Sequence, residues 1–343
     1  MAPSSRPTQA SLAVELGVSR QTLSNVLNHP EVVAPETKRR VEAAMKAAGY
    51  HPMAAGRALR TRRAGAIAMR LHPVVDGING EVLDRFFHAV TECAQAHDYR
   101  INLFTAPSPE QETDILADMY LSGVIDGAVL IDSRLSDPRP DRLMAAGLPF
   151  VVFGRPWGVA SPSHSWVDVD GRAGIYQATC HFREIGHTAI GFIGWPTDSA
   201  VGEDRREGWL RAGGDVSLQR LTENTARDGF LAAQELRQQG ATALVCVSDG
   251  LALGALPVFS DGATPGSELP VIGFDNTPVA RAIGLSSVGQ PVEQAAELLV
   301  GQLIGRVEAS ANVSPTGALL VPSLVLRQWE SIAGIYPQGK ETK

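Results

Sequence analysis

Two groups of residues in this chain have types and spacing suited to chemistry, and they imply different partners. The first is Ser19, Arg20, Gln21, Thr22 and Asn25, spaced to lie at the front and outer face of one short helix. Guanidinium, amide and hydroxyl groups arrayed in this way hydrogen-bond base edges and phosphates when such a helix lies in a major groove. The second group sits where apolar runs end: Arg155 and Trp157 after PFVVF, Trp195 after AIGFIG, Ser248 and Asp249 after ALVCV, and Asp275 after VIGF. His72 and the pair Asp132-Ser133 follow two further runs of the same kind. Two indoles, an arginine and an aspartate converging on one cleft suit a polyhydroxylated ligand. Ring faces cover sugar C–H surfaces, while the charged groups make paired hydrogen bonds to adjacent hydroxyls.

Signatures of catalysis are missing. There is no P-loop, HExxH or GxSxG; His181 and His187 have no paired carboxylates at metal spacing; GWPTDSAVG lacks the GxGxxG order of a dinucleotide site. The expectation is a protein that is not an enzyme and needs neither cofactor nor metal. The cysteines, Cys93, Cys180 and Cys246, are far apart in apolar segments without CxxC spacing, as buried free thiols in a reducing compartment would be. With no apolar run of about eighteen residues and an N-terminus without an apolar signal core, a cytoplasmic protein with no membrane partner is expected.

The first group must be positioned by residues 8–27, TQASLAVELGVSRQTLSNVL. Leu12, Ala13, Leu16, Val18, Leu23, Val26 and Leu27 follow helical spacing through two segments that Gly17 divides, and Ser19 is a good N-cap for the second. Taken alone, the run also fits an ordinary helical hairpin with a solvated polar face. The next residues argue against that: a third helix over 36–48 is expected to bury Val41, Ala44, Met45 and Ala48, display Lys38, Arg39 and Arg40, and end at Gly49. Residues 1–63 hold ten Lys and Arg against four acids, a net +6, so the total of −7 leaves −13 on the rest. A small basic head on a large acidic body places a polyanion at the head alone.

Residues 52–60, opened by Pro52 and weakened by Gly56, read as a linker that becomes helical only when held. Here the chain resembles the LacI family of bacterial transcription regulators, on the runs LAVELGVSRQTLSNVLN, VVAPETKRRVEAAMKAAGYHP and AAGRALRTRRAGAIAM. The resemblance implies a helix-turn-helix head in which Arg20, Gln21 and Asn25 read bases. It also implies a DNA-contacting hinge carrying Arg57, with Leu59 pressed into the minor groove. Gln9, Ser11, Leu23 and Gly56 depart from the usual family residues.

From residue 66 onward strands and helices alternate, as in a parallel sheet with helices on both faces. The expected fold is α/β: an all-α three-helix head plus hinge, then two doubly wound subdomains of the type I periplasmic-binding-protein fold. Expected boundaries are 6–51 for the head, 52–64 for the hinge, 65–169 with 290–319 for one subdomain, 170–289 with 320–332 for the other, and 333–343 for a flexible tail. Ligands of such folds bind at the carboxyl ends of the strands. By resemblance, VGEDRREGW places Arg205 at the family's ligand-binding arginine and VIGFDNTP places Asp275 at its aspartate; Ser248 stands where many relatives have Asn. The function so implied is a homodimeric repressor of carbohydrate genes, binding a near-palindromic DNA operator under control of a sugar effector. A purine or amino-acid effector, or a stand-alone solute-binding protein, stays open at this point.

Overall fold

The computed structural model describes residues 7–50, 63–71, 80–260, 267–308 and 314–328. The expectations for Gly56, Arg57 and Leu59 of the hinge, for His72 and for the tail lie outside the described residues. The chain divides into two compact units, residues 1–64 and 65–343.

In the first unit, α1 (Gln9–Leu16) opens with a reciprocal cap: Thr8 Oγ1 accepts from the Ser11 N–H at 3.1 Å, and the Thr8 N–H donates to Ser11 Oγ at 2.9 Å. Ser11 thus does what an acidic residue at that position would do. Gly17, at φ 62°, ends the helix in a left-handed turn. Ser19 caps α2 (Arg20–Asn28), its Oγ accepting from the Thr22 N–H at 2.9 Å, and α3 (Pro35–Ala47) starts on a proline. Leu12, Ala13, Leu23, Val26, Val41 and Met45 form the small core, with Leu16, Val18, Leu27, Ala44 and Ala48 packed on it.

In the second unit, β1 (Ala66–Arg70), β2 (Arg100–Phe104), β3 (Gly127–Leu130), β4 (Phe150–Phe153) and β5 (Ser165–Val169) alternate with α4 (Glu81–Ala96), α5 (Pro109–Leu121) and α6 (Arg139–Ala145). A second run follows: α7 (Gly171–Glu184), β6 (Ile190–Gly194), α8 (Ala200–Arg211), β7 (Gln219–Leu221), α9 (Ala226–Gln238) and β8 (Ala243–Cys246). It ends with α10 (Asp249–Phe259), β9 (Val271–Phe274), α11 (Pro278–Ala282) and β10 (Ser286–Gly289). Then α12 (Val292–Glu308) returns to the first sheet, where β11 (Gly317–Leu320) pairs with β5, and β12 (Ser323–Val325) pairs antiparallel with β10. The sheet orders are β11-β5-β4-β3-β1-β2 and β12-β10-β9-β8-β6-β7, parallel except at β12. Among the described residues the chain passes between these two lobes after β5, after β10 and after β11.

Central strands β1, β3, β6, β8 and β9 are buried along their whole length, as apolar runs covered on both faces must be. Several helices begin earlier than apolar periodicity indicates, α5 and α6 by two residues and three others by two to four. The spacing predicts starts at Asp204, Gly229 and Leu251, but α8, α9 and α10 are capped by Ser199, Thr225 and Ser248, each accepting an N–H three residues on. A first turn is too short to show the apolar repeat, and each of these contains a glycine, Gly202, Gly229 and Gly250, so the cap decides the start.

Candidate DNA-reading face and effector cleft

On α2, Ser19, Arg20 and Gln21 are exposed, and Thr22 and Asn25 half-buried. Gln21 Nε2 donates to Asn25 Oδ1 at 2.9 Å, and the Ser19 and Thr22 hydroxyls lie 2.8 Å apart. The first pair, one turn apart, orders two amides on one face before any partner arrives. Of the cations on α3, Arg40 donates through Nη2 to the Leu16 carbonyl at 3.3 Å, fastening α3 to the negative end of α1.

In the second unit the polar groups gather at the carboxyl ends of the strands. Arg155, just after β4, donates through Nε to Asp168 Oδ2 at 2.5 Å and through Nη2 to the Val169 carbonyl at 3.2 Å. Its guanidinium lies 4.6 Å over the Trp157 ring. Nη1 and Nη2 also reach Asp204 on α8, at 3.4 and 3.3 Å. Arg172 of α7 holds that carboxylate as well, through Nε at 3.1 Å and Nη2 at 2.9 Å.

Arg205, the next residue on α8, is buried. Nη1 donates to the Val247 carbonyl at 2.5 Å, and the guanidinium lies 3.7 Å over Phe274 and 5.0 Å from the Trp195 ring centroid. Burial presses its pKa below the usual range, while Asp275, Asp168 and Asp204 oppose that. Burial likewise lifts the Asp275 carboxyl to about 7, against the pull of Arg205 and with the help of Asp249; Gln290 Nε2 donates to its Oδ1 at 2.7 Å. Arg205 Nε, Trp157 Nε1 and Trp195 Nε1 are buried with no hydrogen-bond partner among the described residues. Such donors cost on the order of 1–3 kcal/mol each when unmet, and three of them in one cluster are donors that a bound ligand or water can satisfy.

The structure therefore brings Arg155, Trp157, Trp195, Arg205 and Asp275 into one connected cluster. Ser248 sits apart from open space: it is fully buried, caps α10 and donates to Asn224 Oδ1 at 2.6 Å. Asp249, grouped with the candidate ligand residues by its place after ALVCV, is buried instead. Its carboxylate accepts from the Thr277 N–H, Thr277 Oγ1 and Ser287 Oγ at 2.7, 2.9 and 2.6 Å, bracing the turn that carries Asp275. Asp132 turns outward to Arg134 at 2.7 Å. Asp168, Asp204 and Gln290 were not singled out from the sequence. For Asp204 the adjoining Arg205 is a usable signal; for Asp168 only the pairing of β5 with β4, and for Gln290 only the crossing after β10, reveals the role.

A helix-turn-helix unit followed by two parallel-dominated lobes with a polar, aromatic-lined seam defines a ligand-responsive DNA-binding regulator. Residues 11–53 match the model for bacterial regulatory proteins of the lacI family, and residues 179–328 match the periplasmic binding protein-like domain. The chain is 32% identical over 340 residues to the HTH-type transcriptional regulator CelR of Thermobifida fusca, covering 94% of this chain and 98% of that protein. The chain belongs to the LacI family of bacterial transcription regulators, and it is accordingly a regulator and not an enzyme. Among solved structures it is similar to a LacI-family regulatory protein from Chloroflexus aggregans, with a TM-score of 0.71 and 30% identity over 78% of this chain and 99% of that one. It is also similar to the transcriptional regulator CelR-cellobiose complex, with a TM-score of 0.66 and 29% identity over 94% and 100%. Among the described residues no helix is long and apolar enough to cross a membrane.

Proposed function

We propose that this protein is a cytoplasmic, homodimeric repressor of carbohydrate-utilisation genes whose operator affinity is set by a neutral sugar held between the lobes. The observation that carries the sugar reading is Arg205: a buried guanidinium with an unmet Nε, bedded on Phe274, beside Trp195 and in the field of Asp275. That combination offers a donor fork, an acceptor and an indole face, the set a pyranose ring requires. Arg155, Arg172 and Arg205 stand against Asp168, Asp204 and Asp275, leaving little surplus charge to attract an anionic ligand. A purine would need the Phe274 face that Arg205 already covers, and an amino acid would need a free arginine for its carboxylate. The relative solved with cellobiose supports the same class.

In this reading Ser19, Arg20, Gln21, Thr22 and Asn25 read a half-site, and two heads meet a near-palindrome because a two-fold dimer imposes its symmetry. Arg57 and Leu59 contact DNA from the hinge, and the domain boundaries are 169–170, 289–290 and 319–320; crossings after β5, β10 and β11 support this division, the last of them falling just after Leu320. A thermal-shift panel of neutral sugars, glycosides, purines and amino acids tests the effector class. Stabilisation by sugars that Arg205→Ala abolishes is expected; stabilisation by purines or amino acids alone overturns it.

A further inference from the structure

Arg155 and Asp204 meet across the two lobes, and the bonding around them is unequal. The cross-lobe contacts are long, 3.3 and 3.4 Å, whereas each residue has shorter bonds within its own lobe. Arg155 keeps Asp168 at 2.5 Å; Asp204 keeps Arg172 through Nη2 at 2.9 Å and through the Arg172 N–H at 3.1 Å. Removing the sole partner of a buried charge is costly because the survivor is left uncompensated. Here parting Arg155 from Asp204 strands neither. Both side chains are shielded, 14% and 5% exposed, so solvent screens the pair little while it is made. The pair also spans the two aromatic halves of the cleft, since Arg155 lies on Trp157 and Asp204 precedes the arginine that lies on Phe274.

We propose that Arg155 and Asp204 are a positioning pair, a reversible tie whose strength sets how much of the ligand-free protein has its lobes closed. The tie is a two-state contact: made, it draws the end of β4 onto α8; broken, each charge falls back on a partner in its own lobe. Its effect on effector response rests on the function proposed above, but the tie itself is present without any effector.

Hydrogen exchange read by mass spectrometry on the ligand-free, full-length protein tests it through a double-mutant cycle. Arg155→Gln and Asp204→Asn each speed amide exchange over residues 195–204 by about fivefold, and the double variant is no faster than either single one. Arg155→Lys, which keeps the charge, recovers most of the protection. Multiplied effects, about 25-fold in the double variant, or no change in the single ones, overturn the tie. Should Arg155→Gln fail to fold by circular dichroism, Arg155→Met, which also removes the charge, closes the cycle with Asp204→Asn. Because no sugar is present, failure here is distinct from failure of the carbohydrate reading.

Discussion

At Asp275 the backbone is held at φ 111°, a conformation that costs a residue other than glycine on the order of 1 kcal/mol or more. It persists because the Asp275 N–H donates to the Val288 carbonyl at 2.8 Å and the next N–H donates to Ser287 Oγ at 2.9 Å. The turn holds a half-buried carboxyl in the field of Arg205. With its pKa lifted from the ordinary 3.8 to about 7, Asp275 keeps its proton in the folded chain long after the unfolded chain has lost it. The stability it contributes is therefore complete below pH 3.8 and is lost as pH rises through about 7. Binding runs the other way, because sugar hydroxyls donate best to the ionised form. Calorimetry of the stabilising sugar is expected to show affinity rising between about pH 6 and 8, and Asp275→Asn to flatten that slope. Arg205 and Asp275 were legible from the family motifs that contain them. Asp168 was not, because only the pairing of β5 beside β4 sets it against Arg155, and Asp204 was flagged only by the arginine that follows it.

At the scale of elements, what was legible was set by how local the signal is. The turn at Gly17 and the cap at Ser19 are decided within three or four residues, and both stand where the sequence places them. The early starts of α8, α9 and α10 were missed because one hydroxyl decides each, ahead of any apolar repeat. The closeness of α9 and α10 was also hidden, since it is a long-range contact: a Cβ at Gly254 would lie 1.9 Å from the Ala226 carbonyl oxygen. Gly254→Ala must therefore push the two helices apart, and a chemical-denaturation midpoint is expected to show a loss of about 1–3 kcal/mol. Ser19→Ala tests the head in the same way. Losing the cap costs about 1 kcal/mol of head stability, measurable in the melt of the full chain, and weakens operator binding as well.

At the scale of the whole molecule, the charge division links fold to function. The basic head supplies phosphate contacts while the acidic body repels DNA, so operator affinity is expected to fall steeply with salt, by about 10³-fold or more between 50 and 200 mM in a filter-binding titration if six or more phosphates are met. A nearly flat salt response would leave the net +6 of residues 1–63 without a role. Ligand control then requires that the effector bind the closed and open lobes unequally, since equal affinity moves no equilibrium.

The most direct measurement joins the two ends of the molecule. Duplexes selected from random DNA by the full-length protein are labelled, and fluorescence anisotropy follows their release as cellobiose and other neutral sugars are added. A neutral sugar is expected to lower operator affinity at least about tenfold, a coupling within the usual range for such switches, and Arg205→Ala to bind the same DNA but no longer respond. Contradiction would be operator binding that no neutral sugar changes while a purine or an amino acid does.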